Sequence, residues 1–191
     1  ELVKDHKVVK TDEKNGTYVE FIPDTTIFKN YHFINDYVEQ MVMNYTYLNT
    51  GLAFHFNGQR FISQKGLHDL LSRKKAVENL RYPIIHLVSD DIEIALSHSN
   101  QYGEEYYSFV NGQYTVQGGT HLQAFREGIV KVVREFYKKD YDTVDIREAI
   151  VAAISIRIQE PVFESQTKTK LGTEKLLGEE KTMKAFIYEF L

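Results

Sequence analysis

The sequence predicts an α+β layer fold. Three observations carry that reading: short strand signals gathered between residues 83 and 110, a long amphipathic helix pattern over 122–137, and a nearly unbroken apolar run from Ile150 to Ile158. Consecutive short strands separated by polar turns imply antiparallel pairing, and a run of Ile, Val and Ala implies a strand covered on both faces.

Each element follows in chain order. Residues Glu1 to Asn15 are polar and carry no periodic signal, whereas Gly16-Thr17-Tyr18-Val19-Glu20-Phe21-Ile22-Pro23 alternates apolar and polar side chains before a proline stop, the pattern of a strand. From Phe33 to Leu48, Ile34, Tyr37, Val38, Met41, Val42, Tyr45 and Leu48 recur at spacings of three and four and so line one face of a helix, which Asn49-Thr50-Gly51 ends. Leu52–Phe56 and Arg60–Ser63 flank Asn57-Gly58, a dipeptide suited to the positive φ angles of a type I′ hairpin turn. Gly66 to Arg73 makes a short helix. After Pro83, strands are predicted at Ile84–Val88, Ile92–Ser97 and Tyr106–Val110, with Asn111-Gly112 as a further turn. Thr120 is placed to cap a helix whose face is marked by Leu122, Phe125, Ile129, Val132, Val133 and Phe136. The strand Ile150–Ile158 comes next, then a polar loop from Gln159 to Gly172, then a helix from Glu174.

A chain of 191 residues buries one substantial core, or one domain with the edge of another. Hydrophobic residues at 42% and charged residues at 26% fit a folded globular chain. No stretch approaches the roughly 20 apolar residues that cross a bilayer, and there is no basic leader followed by an apolar run. The chain lacks cysteine, which excludes disulfides and thiolate metal sites and suits a reducing compartment, so the cytoplasm is the expected location. A formal net charge of −4 argues against a uniformly basic nucleic-acid coat and leaves room for a local basic patch. The chain opens at Glu1 inside a polar run, which reads as a piece cut from something longer.

The chemistry concentrates in the loop Glu160-Pro161-Val162-Phe163-Glu164-Ser165-Gln166-Thr167-Lys168-Thr169-Lys170-Leu171-Gly172, which gathers amide, hydroxyl and ammonium groups just after a buried strand. Lysine is a compact point charge suited to phosphate, and Gln166 and Lys168 lie two apart, so an extended loop would point both at one ligand. Loops of this composition are also commonly just solvated.

Other residues carry less. His121 has no Ser or Cys nucleophile beside it, and a structural hydrogen bond is its expected role. Asp90-Asp91 and Glu104-Glu105 lie at turns, with neighbours on opposite faces, and read as solvated charges. The histidines show no helical pair with a zinc-site pattern, so no metal site is expected. Tyr102, Tyr106, Tyr107 and Phe109 read as sheet packing before base stacking.

Gln166-Thr167-Lys168-Thr169-Lys170-Leu171, following Glu160-Pro161-Val162-Phe163-Glu164, resembles the "QTK loop" of the ATPase subunit of bacterial type IIA DNA topoisomerases, that is, the B subunits of DNA gyrase and of topoisomerase IV. Gly118-Gly119-Thr120-His121-Leu122-Gln123-Ala124-Phe125-Arg126, Tyr47-Leu48-Asn49-Thr50-Gly51 and Asp145-Ile146-Arg147-Glu148-Ala149 are similar to segments of the same family, in the same order. Asn44–Asn49 and the Tyr-rich stretch Gln101–Tyr107 look more like the topoisomerase IV branch.

The resemblance implies that 1–30 is the C-terminal strand edge of an ATPase domain, 31–82 a connecting helix and hairpin region, and 83–191 the "transducer" domain. That domain would share the fold of the second domain of a small-subunit ribosomal protein, with a left-handed βαβ crossover against the usual right-handed rule. It further implies that Lys168 contacts the γ-phosphate of ATP with Gln166 assisting, that Thr17 lies near the adenine, and that Arg126 faces a cavity holding a DNA duplex. The catalytic glutamate, the Mg²⁺-binding asparagine and the ATP lid would lie before Glu1, so the fragment alone would be inactive and bind ATP weakly. Implied partners are double-stranded DNA, the DNA-cleaving A subunit, and a second B subunit in an ATP-bound clamp. Two other readings compete: a stand-alone α+β scaffold domain, and the transducer of a mismatch-repair-type ATPase. The combination of Gln166-Thr167-Lys168 with Gly16-Thr17 and Gly-Gly-Thr-His favours the topoisomerase.

Overall fold

The computed structural model describes residues 10, 12, 14–178 and 181–191. The chain divides into two units, Glu1–Ile34 and Asn35–Leu191.

In the first unit, most of the polar lead of residues 1–15 lies outside the described residues. Gly16 to Pro23 forms no ladder with any described residue, and Tyr18, Val19, Phe21 and Ile22 are exposed, so the strand expected there is not made. Alternation marks a segment able to half-bury itself, but a strand also needs a paired edge. Asp24 organises a turn by accepting from the backbone N–H and the hydroxyl of Thr26 at 2.8 and 2.7 Å. Phe21, Phe28, Tyr31 and Phe33 form a chain of edge-to-face rings with centroids 5.2–6.3 Å apart.

The second unit is a three-layer α/β structure. Helix α1 (Asn35–Leu48) leads to the hairpin β1 (Phe54–Phe56) and β2 (Gln59–Phe61), then to α2 (Leu67–Lys74) and a 3-10 turn at Val77–Asn79. Asn57 and Gly58 at the hairpin turn take the predicted positive φ, 48° and 79°. The main sheet comprises β3 (Ile85–Val88), β4 (Ile92–His98), β5 (Glu105–Val110), β6 (Gln113–Tyr114) and β7 (Ile150–Ile156) in the order β3-β4-β7-β5-β6. Strand β7 pairs antiparallel with β4 and parallel with β5, and α3 (Thr120–Tyr137) and α4 (Thr143–Arg147) lie in the connection between β5 and β7. The chain closes with α5 (Met183–Phe190).

The central place of β7 explains its composition. Ile150, Ala152, Ile154 and Ile156 face a core shared with Ile92, Ile94, Phe125, Met183 and Ile187, under α3 and α5. Val151 and Ala153 face the other side, where Leu67, Leu70 and Leu71 of α2 and the end of α1 pack. Each of these three leucines is at most 1% exposed, which contributes roughly 1.5–3 kcal/mol apiece from burial. Strand β7 is accordingly apolar at six of its seven positions, Ser155 being the exception.

Several element details differ from expectation. The stripe of α1 is fully buried at Leu48, half-buried at Val38 and Val42, and exposed at Tyr37 and Met41. Thr120 is the first residue of α3, not its cap: Gly119 holds the cap position, and the Thr120 hydroxyl donates to the carbonyl of Thr173 at 2.5 Å. Phe136 is exposed, and Gly128 takes a buried place on α3 because Leu191 packs over it. The last helix starts at Met183 rather than Glu174, capped by Thr182, whose hydroxyl accepts from Ala185 N–H at 3.2 Å. Residues 179 and 180, inside the helix expected there, lie outside the described residues. Among the described residues no helix is long and apolar enough to cross a membrane.

Candidate phosphate-sensing loop and its surroundings

The loop after β7 folds as a small hairpin. Its two arms are joined by Gly172 N–H to Val162 O at 2.8 Å and Glu164 N–H to Lys170 O at 3.0 Å. At the tip, Lys168 N–H donates to Ser165 O at 3.0 Å, so residues 165–168 make a turn, with Lys168 at φ 54°. The chain therefore reverses at Gln166 and Lys168 instead of running extended, and both side chains stand exposed at the apex. Ser165 and Thr167 pair through their hydroxyls at 2.7 Å, which ties down the remaining polar groups of the turn.

The two lysines differ sharply. Lys170 Nζ is bound to Glu164 Oε1 at 2.9 Å across the arms of the hairpin. Lys168 makes no ion pair among the described residues, so its charge is available to an incoming anion.

The loop is seated on the Gly118-Gly119-Thr120 segment. Leu171 N–H donates to Gly118 O and its carbonyl accepts from Thr120 N–H, both at 3.0 Å. Gly119 sits at φ 131°, and a Cβ there would fall 2.3 Å from the Leu171 carbonyl oxygen and 2.4 Å from its nitrogen. Glycine is required at this position for both reasons. The two motifs singled out in the sequence, separated by about 50 residues, are in direct backbone contact, a proximity that no local pattern announces.

Beside this junction lies a cleft of about 650 Å³ whose lining includes Gln117, Gln123, Arg126, Arg147, Glu164 and Lys170. Arg126 projects from α3 onto Glu104, and its guanidinium lies 5.4 Å from the centre of the Tyr106 ring. Arg147 Nε approaches Glu104 Oε1 at 3.5 Å, an ion pair without hydrogen-bond geometry, which leaves that buried N–H without a hydrogen-bond acceptor among the described residues. Glu105, next in the chain, points to the opposite face and pairs with Lys75 at 2.7 Å. Burial works to raise the Glu105 carboxyl, but hydrogen bonds from Lys75 and Tyr107 outweigh it and hold it below its ordinary range. Glu104 and Glu105 are thus the hubs of two networks, not solvated charges, because each meets basic side chains from distant parts of the chain, Arg126 and Arg147 for Glu104 and Lys75 for Glu105.

His121, at the start of α3, is fully buried, with Nε2 3.3 Å from the Thr115 hydroxyl and Nδ1 without a partner among the described residues. Burial depresses it to about 4, so it is a neutral imidazole near pH 7. Thr115 in turn exchanges hydrogen bonds with Ser108 on β5, an interior polar cluster below the Gly118-Gly119 turn. Tyr102 is exposed, while Tyr106 packs edge-on against Phe125 and Phe109 stacks near Tyr114. Thr17 lies exposed in the first unit. No group of three His, Asp or Glu residues placed to hold a metal ion occurs among the described residues.

Comparison with known proteins gives a consistent picture. The family model for DNA gyrase B matches residues 34–191. The B subunit of DNA topoisomerase 4 from Borreliella burgdorferi is 46% identical over 170 residues, covering 89% of this chain and 28% of that protein. The DNA gyrase B subunit of Eisenibacter elegans is 32% identical over 198 residues, covering 90% of this chain and 41% of that one. The chain thus spans less than half the length of either relative. Among solved structures, the B subunit of Myxococcus xanthus DNA gyrase superimposes with a TM-score of 0.72 at 17% identity, over 88% of this chain and 57% of that chain, a likeness of fold.

Proposed function

The chain belongs to the DNA gyrase B family, and on that premise we propose that it is the nucleotide-sensing and transducing part of the B subunit of an ATP-dependent type II DNA topoisomerase. Lys168 meets the γ-phosphate of bound ATP, Gln166 donates beside it, and Thr17 lies near the adenine. The Mg²⁺ that accompanies the nucleotide is held by other parts of the full-length protein. The ammonium contacts the terminal phosphate only while that group is present, which lets the contact distinguish the nucleotide states and bias a domain movement.

In this reading 1–30 is the tail of the ATPase domain, 31–82 a connecting helix and hairpin region, and 83–191 the transducer. The crossover from β5 to β7 is left-handed, as in the second domain of a small-subunit ribosomal protein. The full-length protein works in the cytoplasm on double-stranded DNA, with Arg126 facing the duplex, and pairs with the DNA-cleaving A subunit and with a second B subunit when the clamp closes. The higher identity to a topoisomerase 4 relative, 46% against 32%, supports the topoisomerase IV branch.

The observation that carries the proposal is the contrast at the loop apex, where Lys170 is neutralised by Glu164 and Lys168 is left with its charge. In the full-length protein, Lys168→Ala is expected to lower ATP turnover about 10²-fold or more with little change in thermal midpoint, while Lys170→Ala changes turnover less than about threefold. Equal small effects from the two substitutions in an ATPase assay would refute the assignment.

A further inference from the structure

The residue that follows Lys168 is gripped from outside the loop. Thr169 O accepts from the backbone N–H of Gln117 at 3.0 Å, and the Thr169 hydroxyl donates to the side-chain Oε1 of Gln117, also at 3.0 Å. Gln117 is itself fixed, since Gly118 N–H closes a turn onto Thr115 O at 2.8 Å, and Thr115 is anchored to Ser108 in the buried cluster. Two residues further on, Leu171 is pinned against Gly119. The arm carrying Lys168 is therefore clamped within one peptide of the lysine, while the tip beyond it is held by contacts within the turn itself, the Ser165–Lys168 main-chain bond and the Ser165–Thr167 hydroxyl pair.

We propose that Gln117 is a positioning residue for Lys168: its two hydrogen bonds to Thr169 set the height and direction from which the ammonium is presented. The proposal rests on the reading that Lys168 meets a terminal phosphate. A lysine on a flexible four-carbon stem loses geometric precision unless its main chain is held, and a contact that matters at a transition state is sensitive to small misplacement. Gln117 touches no substrate in this scheme; it acts through the backbone of Thr169. Gly119 serves the same arrangement by letting Leu171 come close.

The test uses the full-length protein and a double-mutant cycle. Gln117→Ala removes the acceptor for the Thr169 hydroxyl and leaves the main-chain hydrogen bond, so the fold is retained where Gly119→Ala risks losing it. Gln117→Ala is expected to lower kcat for ATP about fivefold, the scale of one ordinary hydrogen bond, with KM and ADP affinity within about twofold of the parent. Thr169→Val should match it. Gln117→Glu, which keeps an acceptor oxygen, should restore most of the rate. In the Lys168→Ala background, Gln117→Ala should have no further effect. The proposal is overturned if Gln117→Ala leaves kcat unchanged while Lys168→Ala is severely impaired, or if it lowers turnover by the same factor with and without Lys168. A harmless Lys168→Ala would instead remove the phosphate-sensing reading, and this inference with it.

Discussion

Glu104 holds Arg126 with both carboxylate oxygens, accepting from Nε at 3.1 Å on Oε2 and from Nη2 at 3.2 Å on Oε1. The same carboxylate takes the Tyr106 hydroxyl at 2.6 Å and has Arg147 nearby. Tyr106 is driven well above its ordinary range, first by burial and then by its bond to Glu104, so it stays a donor. An arginine proposed to meet DNA is therefore already satisfied by an acid, and a phosphate must compete with that acid for it.

This competition predicts opposite effects from two neighbouring changes. In the full-length protein, Glu104→Gln should tighten binding of double-stranded DNA about threefold at low salt, since a partly exposed ion pair holds up to about 1 kcal/mol. Arg126→Ala should weaken it and lower the magnitude of the log–log salt slope by about one. Fluorescence anisotropy across a salt series reads both, and an unchanged slope for Arg126→Ala would remove the arginine from the DNA surface.

His121 predicts how stability falls in acid. Its folded value of about 4 lies below the unfolded value near 6.5, so the unfolded chain binds the proton first. The stability is present above pH 6.5 and is lost as the pH falls toward 4, by up to about 3 kcal/mol from this group. Urea unfolding at pH 7 and pH 4.5 should show a smaller loss for His121→Gln than for the parent. Identical losses would mean that the imidazole titrates freely in the fold.

The start of α2 offers a stability test remote from the loop. Glu93 Oε1, on β4, accepts the Leu67 backbone N–H at 2.7 Å and lies 2.8 Å from His86 Nε2, so a carboxylate from another strand satisfies the end of this helix. Gly66 precedes it at φ 54°, where a Cβ would come within 2.4 Å of the same oxygen. Glu93→Ala should cost about 1–2 kcal/mol, or a fall of roughly 2–8 °C in thermal midpoint. Gly66→Ala should cost at least as much, because it adds backbone strain and displaces the carboxylate. A midpoint within about 1 °C of the parent, of the size expected for an ordinary surface substitution, would deny Glu93 this role.

What the sequence made legible was whatever its own neighbours decide. The run Ile150–Ile156 announced a strand covered on both faces because six of its seven residues are apolar, and Asn57-Gly58 announced its turn because few residues accept both φ values. Segments that depend on a distant partner were less readable. Tyr18 to Ile22 alternates like a strand but pairs with no strand among the described residues, and the stripe of α1 is only partly covered. Glu174 to Leu177 has helix-forming composition, yet the helix waits for the Thr182 cap. At the site, Lys168 stood out by its resemblance to a known loop, whereas the neutralisation of Lys170, the acid gripping Arg126 and the Gln117 clamp arise from contacts that only folding creates.

The loop bearing Lys168 grows from β7, the innermost strand, which has a neighbour along each edge and helices over both faces. Amides in such a strand exchange with solvent only when the whole unit opens, so β7 is the last part of the sheet to breathe. The stretch that leads from this strand to the hairpin is tied at its start, where Arg157 N–H donates to Asp91 O at 2.8 Å and Ile158 N–H to Asn111 Oδ1 at 2.9 Å, so the hairpin hangs from an anchored base.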